Sequence, residues 1–156
     1  MTTVITTKTE MVSDTFISYE VSFQGAPKIW IAKGCAWGGA GSTASLAQFK
    51  LWTQGKAKRP EFKVAEEEDE PTAKLEVLQL HPKNGIFLWI NADLPEPVEE
   101  EFYAIGTGAG YAVGAMSKGA TAKEALEIAA KWDKGTRLPG NIITVADLIP
   151  AKRGKK

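Results

Sequence analysis

The sequence predicts a mixed α+β domain in which two sheets pack together with helices outside them. Three observations carry that expectation. Extended and helical signals come in blocks (strands, one helix, strands, two helices, a last strand), which fits stacked sheets better than repeating βαβ units. Short turns, around Lys8-Thr9-Glu10 and at Asn84-Gly85, read as hairpin connections. The 156 residues, 44% of them apolar, suffice for one substantial core. The expected organisation is a single domain over residues 1–150 and a basic tail over 151–156.

Each element can be justified in order. The chain opens MTTVITTKTEMVSD. β-Branched Val4 and Ile5 lead into Thr6-Thr7, and Met11-Val12 resumes the pattern, so a hairpin starts at the first residues. TFISYEVSF reads as extended, Gly25-Ala26-Pro27 as a turn, and KIWIAKGCAW as two short strands around Lys33-Gly34. In GGAGSTASLAQFKLWTQG, glycines lead into a helix capped by Ser42 or Thr43. Leu46, Phe49, Leu51 and Trp52 form its apolar face, and it ends near Gly55. KAKRPEFKVAEEEDEP is a charge-rich connection, and its acidic run at 66–70 reads as a solvated loop or, alternatively, a docking patch.

AKLEVLQL and GIFLWINA follow as a hairpin, and EFYAIGTG as a strand that breaks at glycine. AGYAVGAMSKG reads as a helix whose glycines suit close packing. Thr121 and Glu124 form a capping box for the next helix, with Ala122, Ala125, Leu126 and Ala129 on one face. NIITVADLI is expected as the last strand and AKRGKK as a solvated tail.

Composition excludes several functions. Nineteen basic and nineteen acidic residues cancel, so no strong field recruits nucleic acid or an anionic membrane. Cys35 is the single cysteine, which excludes an intramolecular disulfide, and with His81 as the single histidine a typical zinc site lacks ligands. No metal or other cofactor is expected. No apolar run approaches membrane-spanning length and no secretory leader pattern opens the chain, so a cytoplasmic protein is expected. His81 sits in QLHPKNG beside a proline turn, a poor placement for a Ser-His-Asp hydrolase.

Five short pieces then fall into a recognisable order: Thr2-Thr3; MVSDT; the lysine opening KIW; AWGGAGSTAS; and YAIGTGAGYAVGAM, with WDKGT after the second helix. Taken singly, each has an ordinary reading. Asp14 is a turn residue, Lys28 a surface lysine, the glycines a tight connection, Thr107 a helix cap and Asp133 a solvated residue. In this order they resemble the N-terminal-nucleophile (Ntn) hydrolases of the proteasome β-subunit and HslV type, especially the short HslV-like proteins of phages and prophages. The resemblance implies a four-layer αββα sandwich of two antiparallel sheets flanked by helices. It also implies a site of Thr2, Asp14, Lys28, Gly38, Thr107, Asp133 and Thr136. Three departures accompany it: a shorter first hairpin, threonine in place of serine at 107 and 136, and Arg137-Leu138-Pro139-Gly140 in place of glycines.

The chemistry implied is that of a threonine peptidase. Once Met1 is removed, the Thr2 hydroxyl attacks and its own α-amine, with an intrinsic pKa of about 8, serves as base. Lys28 supplies positive charge beside Thr2, Asp14 orients Lys28, the Gly38 N–H donates to the oxyanion, and Thr107, Asp133 and Thr136 hold the amine. Removing Lys28 is expected to stop the chemistry and spare the fold, whereas Lys33 is expected to be silent. The resemblance further implies a peptide or unfolded-protein substrate, a self-compartmentalising homo-oligomeric ring and an ATP-dependent unfoldase as partner. The competing expectations are a catalytically silent structural or binding subunit of the same fold, and an amidohydrolase acting on small amides.

Overall fold

The computed structural model describes residues 2–17, 23–24, 27–61 and 75–149. Met1, the middle of TFISYEVSF, the acidic run at 66–70 and the tail at 151–156 lie outside the described residues. In chain order the elements are β1 (Thr3–Thr7), β2 (Glu10–Ser13), β3 (Phe16–Ile17), β4 (Phe23–Gln24), β5 (Ile29–Ala32), β6 (Cys35–Gly41) and α1 (Thr43–Thr53). They continue with β7 (Leu75–His81), β8 (Gly85–Ile90), β9 (Glu96–Val98), β10 (Phe102–Gly106), α2 (Ala109–Ser117), α3 (Ala122–Trp132), β11 (Asn141–Thr144) and α4 (Val145–Leu148).

Two antiparallel sheets dominate. The first has four strands in the order β10-β1-β2-β11, and the second has five in the order β5-β6-β7-β8-β9. Strand alternation gives each sheet two apolar faces, and three separate cores follow. Val4, Met11 and Ile105 of the first sheet meet Ile29, Leu78, Leu80 and Ile86 of the second. On the outer face of the first sheet, Ile5, Val12 and Ala104 pack against Ala112 and Met116 of α2 and Ala125 and Leu126 of α3. On the outer face of the second, Trp30, Trp37, Val77 and Trp89 pack against Phe49 and Trp52 of α1. Three cores between successive layers make four layers: helices, sheet, sheet, helix.

Local chemistry explains the boundaries. Ser42 caps α1 by accepting from Ser45 N, and the Thr121–Glu124 capping box forms at α3 as the sequence predicts. His81 serves its turn: Nδ1 accepts from the N–H groups of Lys83 and Asn84.

Two expectations are corrected and one strand is added. The glycines of GGAG, expected to lead into the helix, instead continue the strand that begins at Cys35. A Cβ on Gly38 would stand 2.6 Å from Val4 Cγ1 and 2.8 Å from Ile29 Cγ2, so the missing side chain lets the two sheets close on each other there. NIITVADLI divides after Thr144, because the Asp147 carboxylate accepts from Thr144 N and Oγ1 and starts a turn of helix. Finally, the sequence signals did not foresee β9, whose three residues include Pro97 and which forms the edge of the second sheet beside β8.

Candidate active site

Register builds the first half of the site. β1 lies between β10 and β2, with Thr3 opposite Gly106 and Val4 opposite Ser13. The start of β1 therefore sits beside the ends of both neighbours, and the residues just past those ends flank Thr2 and Thr3. Thr107 N donates to Thr2 O at 2.9 Å, and Asp14 N donates to Thr3 O at 3.2 Å. Gly106 has φ +95°, and a side chain there would strike the Thr2 carbonyl, so only glycine fits.

The Asp14 carboxylate joins the two sheets. Its Oδ1 accepts from Thr3 N at 2.9 Å, and Lys28 Nζ donates to Oδ1 and Oδ2 at 3.0 and 3.1 Å. Lys28 immediately precedes β5 of the second sheet, so this ion pair spans the interface between the sheets. It is buried: Asp14 is 0% exposed and Lys28 7%. Burial pulls the Lys28 amine below its ordinary value of 10.5, while the charge and hydrogen bonds of Asp14 oppose that pull.

The second half is built at helix termini. Asp133 is the C-cap of α3 and Thr107 lies in the turn before α2. Asp133 Oδ2 accepts from Thr107 Oγ1 at 2.7 Å and from Thr136 Oγ1 at 2.6 Å, and Gly135 N donates to Oδ1 at 3.3 Å. Burial alone would raise the Asp133 pKa. The hydrogen bonds from Thr136, Thr107 and Gly135 outweigh it and hold the carboxyl below its ordinary 3.8. Thr136 Oγ1 also bonds Thr3 Oγ1, and Gly108 N donates to Thr3 Oγ1 at 3.1 Å.

Of the seven residues singled out in the sequence, the structure gathers six, Thr2, Asp14, Lys28, Thr107, Asp133 and Thr136, around the start of β1. Gly38 is placed differently. Gly39 N donates to Lys28 O on the β5 side of β6, so by the alternation of an antiparallel strand the Gly38 N–H turns toward β7. It is committed to the sheet and cannot meet an oxyanion. The same alternation returns Gly41, at the end of β6 with φ +131°, to the side of Lys28. The resemblance puts the oxyanion donor at Gly38, whereas the register of β6 turns that N–H toward β7. Lys33 stands apart in the β5–β6 turn, with Nζ 5.1 Å from the Trp52 ring centroid. Among the described residues no three His, Cys, Asp or Glu side chains group as a metal site needs. Nor is any helix there long and apolar enough to cross a membrane.

No protein-family model matches the sequence, and no curated protein matches it. Solved structures do match in shape. A protein designated BPH from Thiobacillus denitrificans superposes with TM-score 0.67 at 18% identity, over 96% of this chain and 99% of that one. The same protein in complex with epoxomicin gives 0.68 at 17% identity, over 92% and 96%. Eukaryotic HslV from Trypanosoma brucei gives 0.61 at 16% identity, over 91% and 98%. At such identities the likeness speaks for the fold alone: this chain shares with those structures an arrangement of two antiparallel sheets flanked by helices.

Proposed function

We propose that the chain is a threonine-type peptidase whose nucleophile is Thr2, freed by removal of Met1. The observation that carries this reading is the Asp14 carboxylate, which holds Lys28 Nζ and the N–H of Thr3 at once. A buried lysine is thereby tied to the residue next to Thr2. Lysine charge beside the nucleophile favours its alkoxide-like form and lowers the pKa of the adjacent α-amine. That amine takes the hydroxyl proton, Thr2 Oγ attacks the amide carbon, and the amine returns the proton to the leaving nitrogen. Thr107, Asp133 and Thr136 orient the amine from the other side. The oxyanion donor in this reading is the N–H of Gly41 rather than Gly38, because it faces the Lys28 side of β6. Water then hydrolyses the ester, and the free Thr2 is restored.

The substrate is a peptide or an unfolded protein, and the active form a homo-oligomeric ring that sequesters the site, with an ATP-dependent unfoldase as feeder. That the Thiobacillus BPH fold has been solved with epoxomicin supports the choice of probe. A peptide epoxyketone closes a ring with hydroxyl and amine of one residue, so wild type should carry the adduct on the peptide beginning at Thr2, and Thr2→Ser should retain partial turnover. Thr2→Ala should carry no adduct while eluting at the same oligomeric size. Wild-type protein with Met1 removed that takes up no epoxyketone and cleaves no peptide would leave the silent structural subunit as the reading. Turnover of small amides alone would favour the amidohydrolase.

A further inference from the structure

Thr3 has none of the roles assigned above, yet it touches both halves of the site. Its backbone exchanges two hydrogen bonds with Asp14: N–H to Oδ1, and carbonyl from Asp14 N. Its hydroxyl meets Gly108 N and Thr136 Oγ1, and Thr136 Oγ1 in turn meets Asp133 Oδ2. The direction of each bond follows from the ends of the chain. A backbone N–H can only donate, an ionised carboxylate can only accept, and each hydroxyl has one proton. Thr136 gives its proton to Asp133. Thr3 therefore gives its proton to Thr136, and its lone pair takes the Gly108 N–H.

The result is a one-way series, Gly108 N–H to Thr3 to Thr136 to Asp133, in which every bond polarises the next in the same sense. Thr3 is fully buried. A Cβ on Gly108 would collide with the Thr3 hydroxyl and stand 2.8 Å from Thr136 Oγ1, so the backbone there is pressed directly onto the two threonines. We infer that Thr3 is a positioning residue: it joins the Lys28–Asp14 pair to the Thr107–Asp133–Thr136 cluster and so fixes Thr2, one peptide bond away, between them. This rests on the threonine-peptidase reading and adds to it a residue that never touches substrate.

The test compares Thr3→Val, which keeps the shape and removes the hydroxyl, with Thr3→Ser, which keeps the hydroxyl. Thr6→Val is the control, because Thr6 is equally buried in the same strand but its hydroxyl, among the described residues, donates only to the carbonyls of Thr7 and Glu10. kcat and KM on a fluorogenic peptide and urea unfolding are measured for each. Thr3→Val should lose about tenfold or more in kcat with KM unchanged, because it removes both buried hydrogen bonds of the hydroxyl and tenfold corresponds to about one of them felt in the transition state. Thr3→Ser should recover most of that loss, and Thr6→Val should lose stability while keeping kcat. Should Thr3→Val not fold, Thr3→Ala replaces it against Thr3→Ser with the same expected gap. An active wild type with an equally active Thr3→Val, or a Thr6→Val that loses as much kcat, overturns the inference alone. A wild type inert to peptide and epoxyketone overturns the peptidase reading and this inference with it.

Discussion

The two halves of the candidate site are built by opposite means. Lys28 and Asp14 form one ion pair between two sheets, nearly sealed from water, and burial is the dominant influence on the lysine. Thr107, Asp133 and Thr136 form a half-open cluster at helix ends, where hydroxyl and backbone donors decide the state of the carboxylate. The first half rests on the pairing of two buried charges across the sheets. The second shares its task among several neutral donors to one carboxylate, each worth about 1.5–3 kcal/mol. Sensitivity to mutation should differ accordingly.

The largest effect is expected at the buried pair. Lys28→Ala should end turnover and also lower stability by about 3–5 kcal/mol, because it strands the Asp14 carboxylate in the interior. This differs from the sequence-based expectation that removing Lys28 spares the fold, because Lys28 is 7% exposed and lies between the two sheets. Lys28→Met with Asp14→Asn, which removes both charges, should recover much of that stability and none of the activity. Urea unfolding of the two proteins separates the outcomes, and equal instability would show that packing rather than charge is at stake.

The next effect concerns pH. The Lys28 amine titrates below 10.5 when folded, so the unfolded chain binds more protons in the window between its lowered value and 10.5. Stability from this group therefore rises with pH across that window. Lys28→Met should abolish that rise. Asp14→Asn should move the amine further down, since the aspartate's charge and hydrogen bonds hold it up. Asp133 behaves in the opposite range. Its carboxyl is held below 3.8, so its contribution is present above the unfolded value and is lost as pH falls through the folded one. Asp133→Asn should remove that acid-side loss, which denaturation profiles between pH 2 and pH 5 would record.

A smaller loss of stability, about 2 kcal/mol, is expected for Thr136→Val, which breaks two links, the bond from Thr3 and the bond to Asp133, while Thr107 still donates to Asp133. Smallest of all is Lys33→Ala. It removes a cation from the Trp52 face, worth about 0.5 kcal/mol at an exposed position, and should leave kcat unchanged. A Lys33→Ala protein without activity would transfer the lysine role away from Lys28.

Much of the fold was legible because its causes are local. The first hairpin, the α3 capping box and the Asn84-Gly85 turn each depend on residues a few positions apart, and all three appear where their signals lie. The order of the landmarks likewise picks out Thr2, Asp14, Lys28, Thr107, Asp133 and Thr136, residues that the fold brings together at the start of β1. What the sequence by itself could not decide depends on register and on contacts between distant segments. Which glycine of β6 turns its N–H toward Lys28 follows from pairing with β5 and β7, and a slip of one residue would reverse it. That Lys28 is interior follows from two sheets closing across Gly38, a contact invisible in a stretch that reads as a surface turn. That Thr3 completes the site follows from a hydrogen bond to a residue 133 positions away. Local patterns are written in neighbouring residues; the assembly of this site is set by close packing of four layers, where a hydroxyl's partner is whatever the fold brings within three ångströms.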